Sequence, residues 1–147
     1  MRKEMVIAAG LVLALAGCGR EVPFTVLDGG SSGGCLLRRT QMVVRTQFEW
    51  EQFWATFTAC PGKQPAVDFS RQMAIVYATG MRGGGFSLTL DRIGEDREGN
   101  LVVHLTTRAP RAGCMGPANI IYPRVVALTA QRSVRVRFET RHKSLRC

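Results

Sequence analysis

The stretch from Asp68 to Ile93, DFSRQMAIVYATGMRGGGFSLTLDRI, constrains the fold of this chain more than any other. Two apolar runs, Met73 to Ala78 and Phe86 to Leu90, flank Gly80, Gly83, Gly84 and Gly85. Glycine has no Cβ and reaches positive φ without a clash, so such a cluster lets a chain reverse tightly between strands. In the second run Phe86, Leu88 and Leu90 alternate with Ser87, Thr89 and Asp91, the period of a strand with one buried face. The sequence therefore predicts a β-hairpin with a glycine-rich tip. Glycine-rich loops also cradle phosphate, but that use needs Gly-Lys-Ser/Thr opening a helix. Here the glycines open a strand and no lysine follows, which leaves a turn or a binding loop.

The chain has 147 residues, the size of one domain. Its start reads as an export signal: Arg2 and Lys3, then an apolar run from Met5 to Ala14 that is too short to span a bilayer. Leu15-Ala16-Gly17-Cys18 follows and resembles a bacterial lipobox. That resemblance implies cleavage before Cys18 and diacylation of its thiol, with an ordinary signal peptide as the alternative. A lipid there puts the domain on a membrane surface, in the bacterial cell envelope. Gly19, rather than Asp, after the cysteine favours the outer over the inner membrane. The expected division is a signal peptide at 1–17, a flexible Gly/Ser-rich tether at 18–34 and a folded domain at 35–147.

Besides Cys18 the chain has Cys35, Cys60, Cys114 and Cys147. An even number in an exported domain points to disulfides, with three possible pairings. The preferred pairing is Cys35–Cys147 with Cys60–Cys114. Neither Cys-x-x-Cys nor His-x-x-x-His occurs, so no metal and no cofactor is expected. The formal net charge is +9, carried mostly by arginine. The tail concentrates it: Arg124, Arg132, Arg135, Arg137, Arg141, Lys143 and Arg146 against Glu139. Such a segment attracts anionic lipid or another polyanion, or is simply a solvated face. Nucleic acid is disfavoured, because no aromatic platform is interleaved with these arginines.

Along the rest of the chain, Leu36 to Arg45 reads as a strand interrupted at Arg38-Arg39. Thr46 and Glu49 have capping-box spacing, and Trp50, Phe53, Trp54 and Phe57 form one apolar helix face. Pro61-Gly62 ends that helix. Asp68-Phe69-Ser70 reads as a turn closed by the aspartate. Met73 to Ala78 suits a central strand. GEDREGN at 94–100 is a turn, Leu101 to Thr106 a strand, RAPRAGCMGP at 108–117 a loop, and Asn119 to Leu128 a strand that Pro123 must interrupt or confine to an edge. Val134, Val136 and Phe138 alternate with Arg135, Arg137 and Glu139, so the last strand has a charged face. The expected class is α+β: a mostly antiparallel sheet of about six strands with one early amphipathic helix. In an antiparallel meander the loops at 80–85 and 108–117 share an end. Met81, Arg82, Gly83, Gly84, Gly85, Arg111 and Met115, with Tyr122 beside them, are the candidate binding residues.

Phe53-Trp54, Val67-Asp68-Phe69-Ser70, Ile75-Val76 to Gly80, Gly84-Gly85-Phe86, Asn100-Leu101-Val102-Val103 and Tyr122-Pro123 carry a resemblance to the C-terminal domain of PrcB-type protease complex subunits. It runs from about Phe48 to Phe138. Gly83 and Phe86 stand where that family usually has Thr and Tyr, which removes two hydroxyls from the turn. The resemblance implies a non-catalytic subunit that contacts a partner protein, with an envelope protease as the implied partner. An enzyme is disfavoured: His104 lies in a strand pattern, His142 in a basic tail, and no Gly-x-Ser-x-Gly is present. The other reading is a surface lipoprotein that binds polyanions or anionic lipid through its basic C-terminal face.

Overall fold

The computed structural model describes residues 19–30, 38–56 and 63–147. Its elements in chain order are β1 (Glu21–Val22), β2 (Phe24–Asp28), β3 (Thr40–Val44), α1 (Gln47–Thr56), β4 (Gln72–Ala78), β5 (Arg82–Gly83), β6 (Ser87–Glu95), β7 (Leu101–Pro110), β8 (Ile120–Ile121), β9 (Arg124–Ala130) and β10 (Val136–Leu145). Among the described residues the chain is thus mostly β with a single short helix, and it has ten strands rather than about six. The export signal, Cys18, Cys35, Cys60, Phe57 and Pro61-Gly62 lie outside the described residues.

Two four-stranded sheets make up the domain, an outer sheet in the order β1-β6-β7-β10 and an inner sheet in the order β2-β9-β4-β3. The expected hairpin of β4 with β6 does not form. β4 pairs with β3 and β9, while β6 pairs with β1 and β7. Side-chain pattern accounts for the difference. β4 is apolar toward both faces and needs cover on both, whereas β6 alternates and tolerates water on one side. Met73, Ile75 and Tyr77 of β4 join the core between the sheets, with Val125 and Ala127 of β9 and Leu90, Ile93, Leu101, Val103 and Leu105 of the outer sheet. Ala74, Val76 and Ala78 face the other way, onto Trp50 and Phe53 of α1. The layers are therefore helix, inner sheet, outer sheet.

Local chemistry sets the helix as expected. The Thr46 hydroxyl accepts from the Glu49 N–H at 3.2 Å, and the Glu49 carboxylate accepts in return from the Thr46 N–H at 3.2 Å. Trp50 Nε1 donates to the Pro65 carbonyl at 2.9 Å, so the buried indole is fully satisfied. Asp68 closes its turn by accepting from the Ser70 N–H at 3.1 Å. Asp96 closes the turn between β6 and β7, accepting from Glu98 and Asn100 N–H groups, each at 2.9 Å. A bulge between Leu90 and Arg92 shifts the register, which lets Leu90 and Ile93 both point into the core. Pro123 breaks the strand predicted over 119–128 into β8 and β9.

Two further expectations are corrected. Residues 21–28, read as tether, form β1 and β2, and Val22 is 2% exposed. They act as one strand that changes sheet at Pro23 and closes one side of the sandwich. β10 pairs with β7 in parallel rather than antiparallel. The chain leaves β9 in the inner sheet and enters the outer sheet at the Leu101 end, where β7 also begins, so the two strands run the same way.

Candidate functional site

Two connections cross between the sheets at one end, 79–86 from β4 to β6 and 111–123 from β7 to β9. They are locked together. β5 in the first pairs with β8 in the second, Arg82 opposite Ile121 and Gly83 opposite Ile120. A Cβ on Gly84 would overlap the Asn119 side-chain oxygen and the Pro117 carbonyl, so only glycine permits this approach. Gly85 has φ +82° and lies against Pro110, which adds a backbone demand to a steric one. Gly83 differs: nothing stands within 4 Å of a Cβ added there.

The second connection is held from behind as well. Cys114 is bonded to Cys147, Cα to Cα 5.5 Å, and the Arg111 N–H donates to the Leu145 carbonyl at 3.2 Å. The preferred pairing of Cys35 with Cys147 and of Cys60 with Cys114 is thereby overturned. The parallel course of β10 along β7 carries the tail to the 108–117 loop, a proximity that depends on a pairing not legible in the spacing of the cysteines.

Met81, Arg82, Gly83, Gly84, Gly85, Arg111 and Met115 all fall on these two joined connections, as the meander argument anticipated, though by two crossovers rather than by hairpins. Three large apolar side chains are exposed there: Met81 at 60%, Ile120 at 65% and Met115 fully. Ile120 was not anticipated. The Arg82 guanidinium lies over the Phe86 ring, 5.4 Å from its centre. Tyr122 sits in the break between β8 and β9, where its carbonyl accepts from Arg124 at 3.4 Å.

Behind the platform a cleft of about 400 Å³ opens between the sheets, lined by Arg39, Tyr77, Thr79, Arg82, Phe86, Thr107 and His142. Its floor hydroxyls are engaged: Tyr77 with Thr140 at 3.1 Å, Thr107 with His142 Nδ1 at 2.6 Å, and Thr79 donating to the Gly80 carbonyl at 3.1 Å. No periodicity signals this cleft, because its residues come from elements far apart in the chain.

A groove of about 570 Å³ runs over the wet face of the outer sheet, where Arg92, Arg108, Arg141 and Lys143 outnumber Asp91 and Glu139. Asp91 accepts from the Thr106 hydroxyl at 2.5 Å, and Glu139 lies 3.5 Å from His104 Nδ1 and 3.0 Å from Arg137. The neighbouring Glu139 favours a protonated His104, but burial, reinforced by Arg92, outweighs it and holds the imidazole below its ordinary value. The basic face is narrower than the tail composition suggests. Arg124 is buried on Asp28 at 2.8 Å, and Arg132 pairs with Glu95 at 2.7 Å. Among the described residues no group of His, Cys, Asp and Glu is arranged to hold a metal.

The fold and these surfaces define a small two-sheet β domain with a disulfide-tied loop platform. Residues 73–130, from β4 through β9, match the family model described as PrcB C-terminal. The matched stretch includes both joined connections. No curated protein and no solved structure matches the chain.

Proposed function

We propose that this protein is a non-catalytic, lipid-anchored binding module of the bacterial cell envelope whose loop platform contacts a partner protein, an envelope protease being the partner suggested by the PrcB likeness. The observation that carries this reading is the platform itself. Two connections are held rigid by strand pairing, a glycine contact and a disulfide, and they expose Met81, Met115 and Ile120. Apolar groups displayed on a rigid support lose little entropy on docking and suit a protein interface. An anchor at Cys18 orients the platform. Arg20 lies beside Glu95, its carbonyl accepting the Glu95 N–H at 2.8 Å, and β6 runs from there to Ser87 at the platform end. That length is roughly 30 Å, so a lipid at Cys18 leaves the platform facing away from the membrane, the outer membrane being the expected one.

Crosslinking in intact cells followed by mass spectrometry tests this. Capture of one defined protein, lost in Gly84→Leu and kept in Gly83→Ala, is expected. Capture unaffected by Gly84→Leu would remove the platform from the interface. A second reading, binding of anionic lipid or another polyanion, is favoured by the cationic groove of the outer sheet. It requires vesicle binding that weakens steeply with salt and with Arg108→Glu plus Arg141→Glu.

A further inference from the structure

We propose that the cleft behind the platform captures the carboxyl-terminal residue of a peptide segment of the docked partner, a proposal that rests on the partner-binding reading. Arg39 and Arg82 line this cleft, and no carboxylate does. Among the described residues neither guanidinium has an acidic partner. Two cations facing one cavity repel each other, so an anion there is favoured by both. The guanidinium is a planar fork that matches a carboxylate through paired N–H donors.

The floor limits the donors. The Tyr77 and Thr107 hydroxyls are bonded to Thr140 and His142, the Thr79 hydroxyl to the backbone, and Arg82 Nη1 to the Met81 carbonyl at 3.3 Å, which leaves Arg39 and the other N–H groups of Arg82 as the charged donors. Such forks take a carboxylate or a phosphate alike. The walls choose between them. The Tyr77 and Phe86 rings border the same cavity, so charge and apolar surface lie side by side. A chain terminus presents that combination, its α-carboxylate and its own side chain springing from one carbon. At about 400 Å³ the cleft lies in the range of small-ligand sites and has room for a terminal residue rather than a long segment. Arg82 belongs to both places, since it is carried by β5, the strand that builds the platform. A partner lying on the platform therefore lies beside the cleft, within reach of a terminal residue.

The test titrates the full-length chain with N-acetyl-L-phenylalanine, with its neutral amide and with inorganic phosphate, following backbone amides by NMR. The free acid is expected to shift Thr79, Arg82, Thr107 and His142 saturably, with the amide about tenfold weaker or worse. Arg39→Gln plus Arg82→Gln, both at exposed positions, is expected to cost about the same factor with an unchanged melting temperature. Equal binding of acid and amide, stronger binding of phosphate at the same residues, or no saturable shift overturns the proposal. Equal binding of N-acetyl-L-glutamate α-amide overturns the choice of a chain terminus. Crosslinking in cells separates the two readings. A partner lost in Gly84→Leu but retained in the double arginine variant leaves the platform standing and sinks the cleft.

Discussion

The inner sheet meets water almost nowhere at its centre, while the outer sheet carries its charged side chains on one face. β4 and β9 have α1 on one side and the outer sheet on the other, and they carry apolar side chains toward both. β10 alternates instead, with Phe138 packed on Tyr77 and Arg137, Glu139 and Arg141 outside. Charge is handled differently as a result. On the inner sheet Arg124 is buried and must be held by Asp28, whereas the cations of the outer groove are left facing solvent. A sheet covered twice is committed to stability; a sheet covered once has a face to spend on contact.

The sharpest break of this contrast is Trp50→Ala, which strips cover from the inner sheet. It is expected to cost about 3–5 kcal/mol in urea unfolding, and a loss near zero would mean that α1 is not a structural layer. Asp28→Ala, which leaves Arg124 buried without its carboxylate, is expected to cost about 3 kcal/mol in the same assay. Between the sheets, Gly84→Leu is expected to cost about 1–3 kcal/mol by overpacking, with Gly83→Ala within about 0.5 kcal/mol of the parent. On the outer face, Arg141→Glu is expected to leave stability within about 0.5 kcal/mol while altering the salt dependence of vesicle binding. The smallest effect belongs to His104. Its NMR titration midpoint is expected below the ordinary 6.5. The unfolded chain then binds the proton more readily than the folded one, so this group destabilises the fold as pH falls below about 6.5 and is neutral above it. His104→Gln should flatten stability against pH over that window.

Much of the local structure was legible. The capping box, the apolar helix face, the Asp68 turn, the break at Pro123 and the alternation of β10 each depend on residues within a few positions of one another. The platform was legible in its members but not in its construction, because the glycines signal a reversal without saying which strands it joins. Ile120 escaped attention since it reads as one more strand residue, and only the pairing of β8 with β5 exposes it. The cleft was not legible at all. Arg39, Thr107 and His142 are brought together only when β3, β7 and β10 are placed around the same opening.

The sequence by itself determined where the helix starts, the strands around Met73–Ala78, Leu101–Thr106 and Val136–Phe138, and which side chains the alternating ones turn inward, because φ/ψ preference, capping and hydrophobic period act over short stretches of chain. The strands at 21–28 became strands only through the sheets they join. Only the tertiary structure decided that β4 and β6 belong to different sheets, that β10 lies parallel to β7, and that Cys114 meets Cys147. Those outcomes depend on which faces must be covered at once. A doubly apolar strand goes to the middle layer, an alternating one to the wet layer, and the connections between them must then cross, which is what assembles the platform and the cleft beside it.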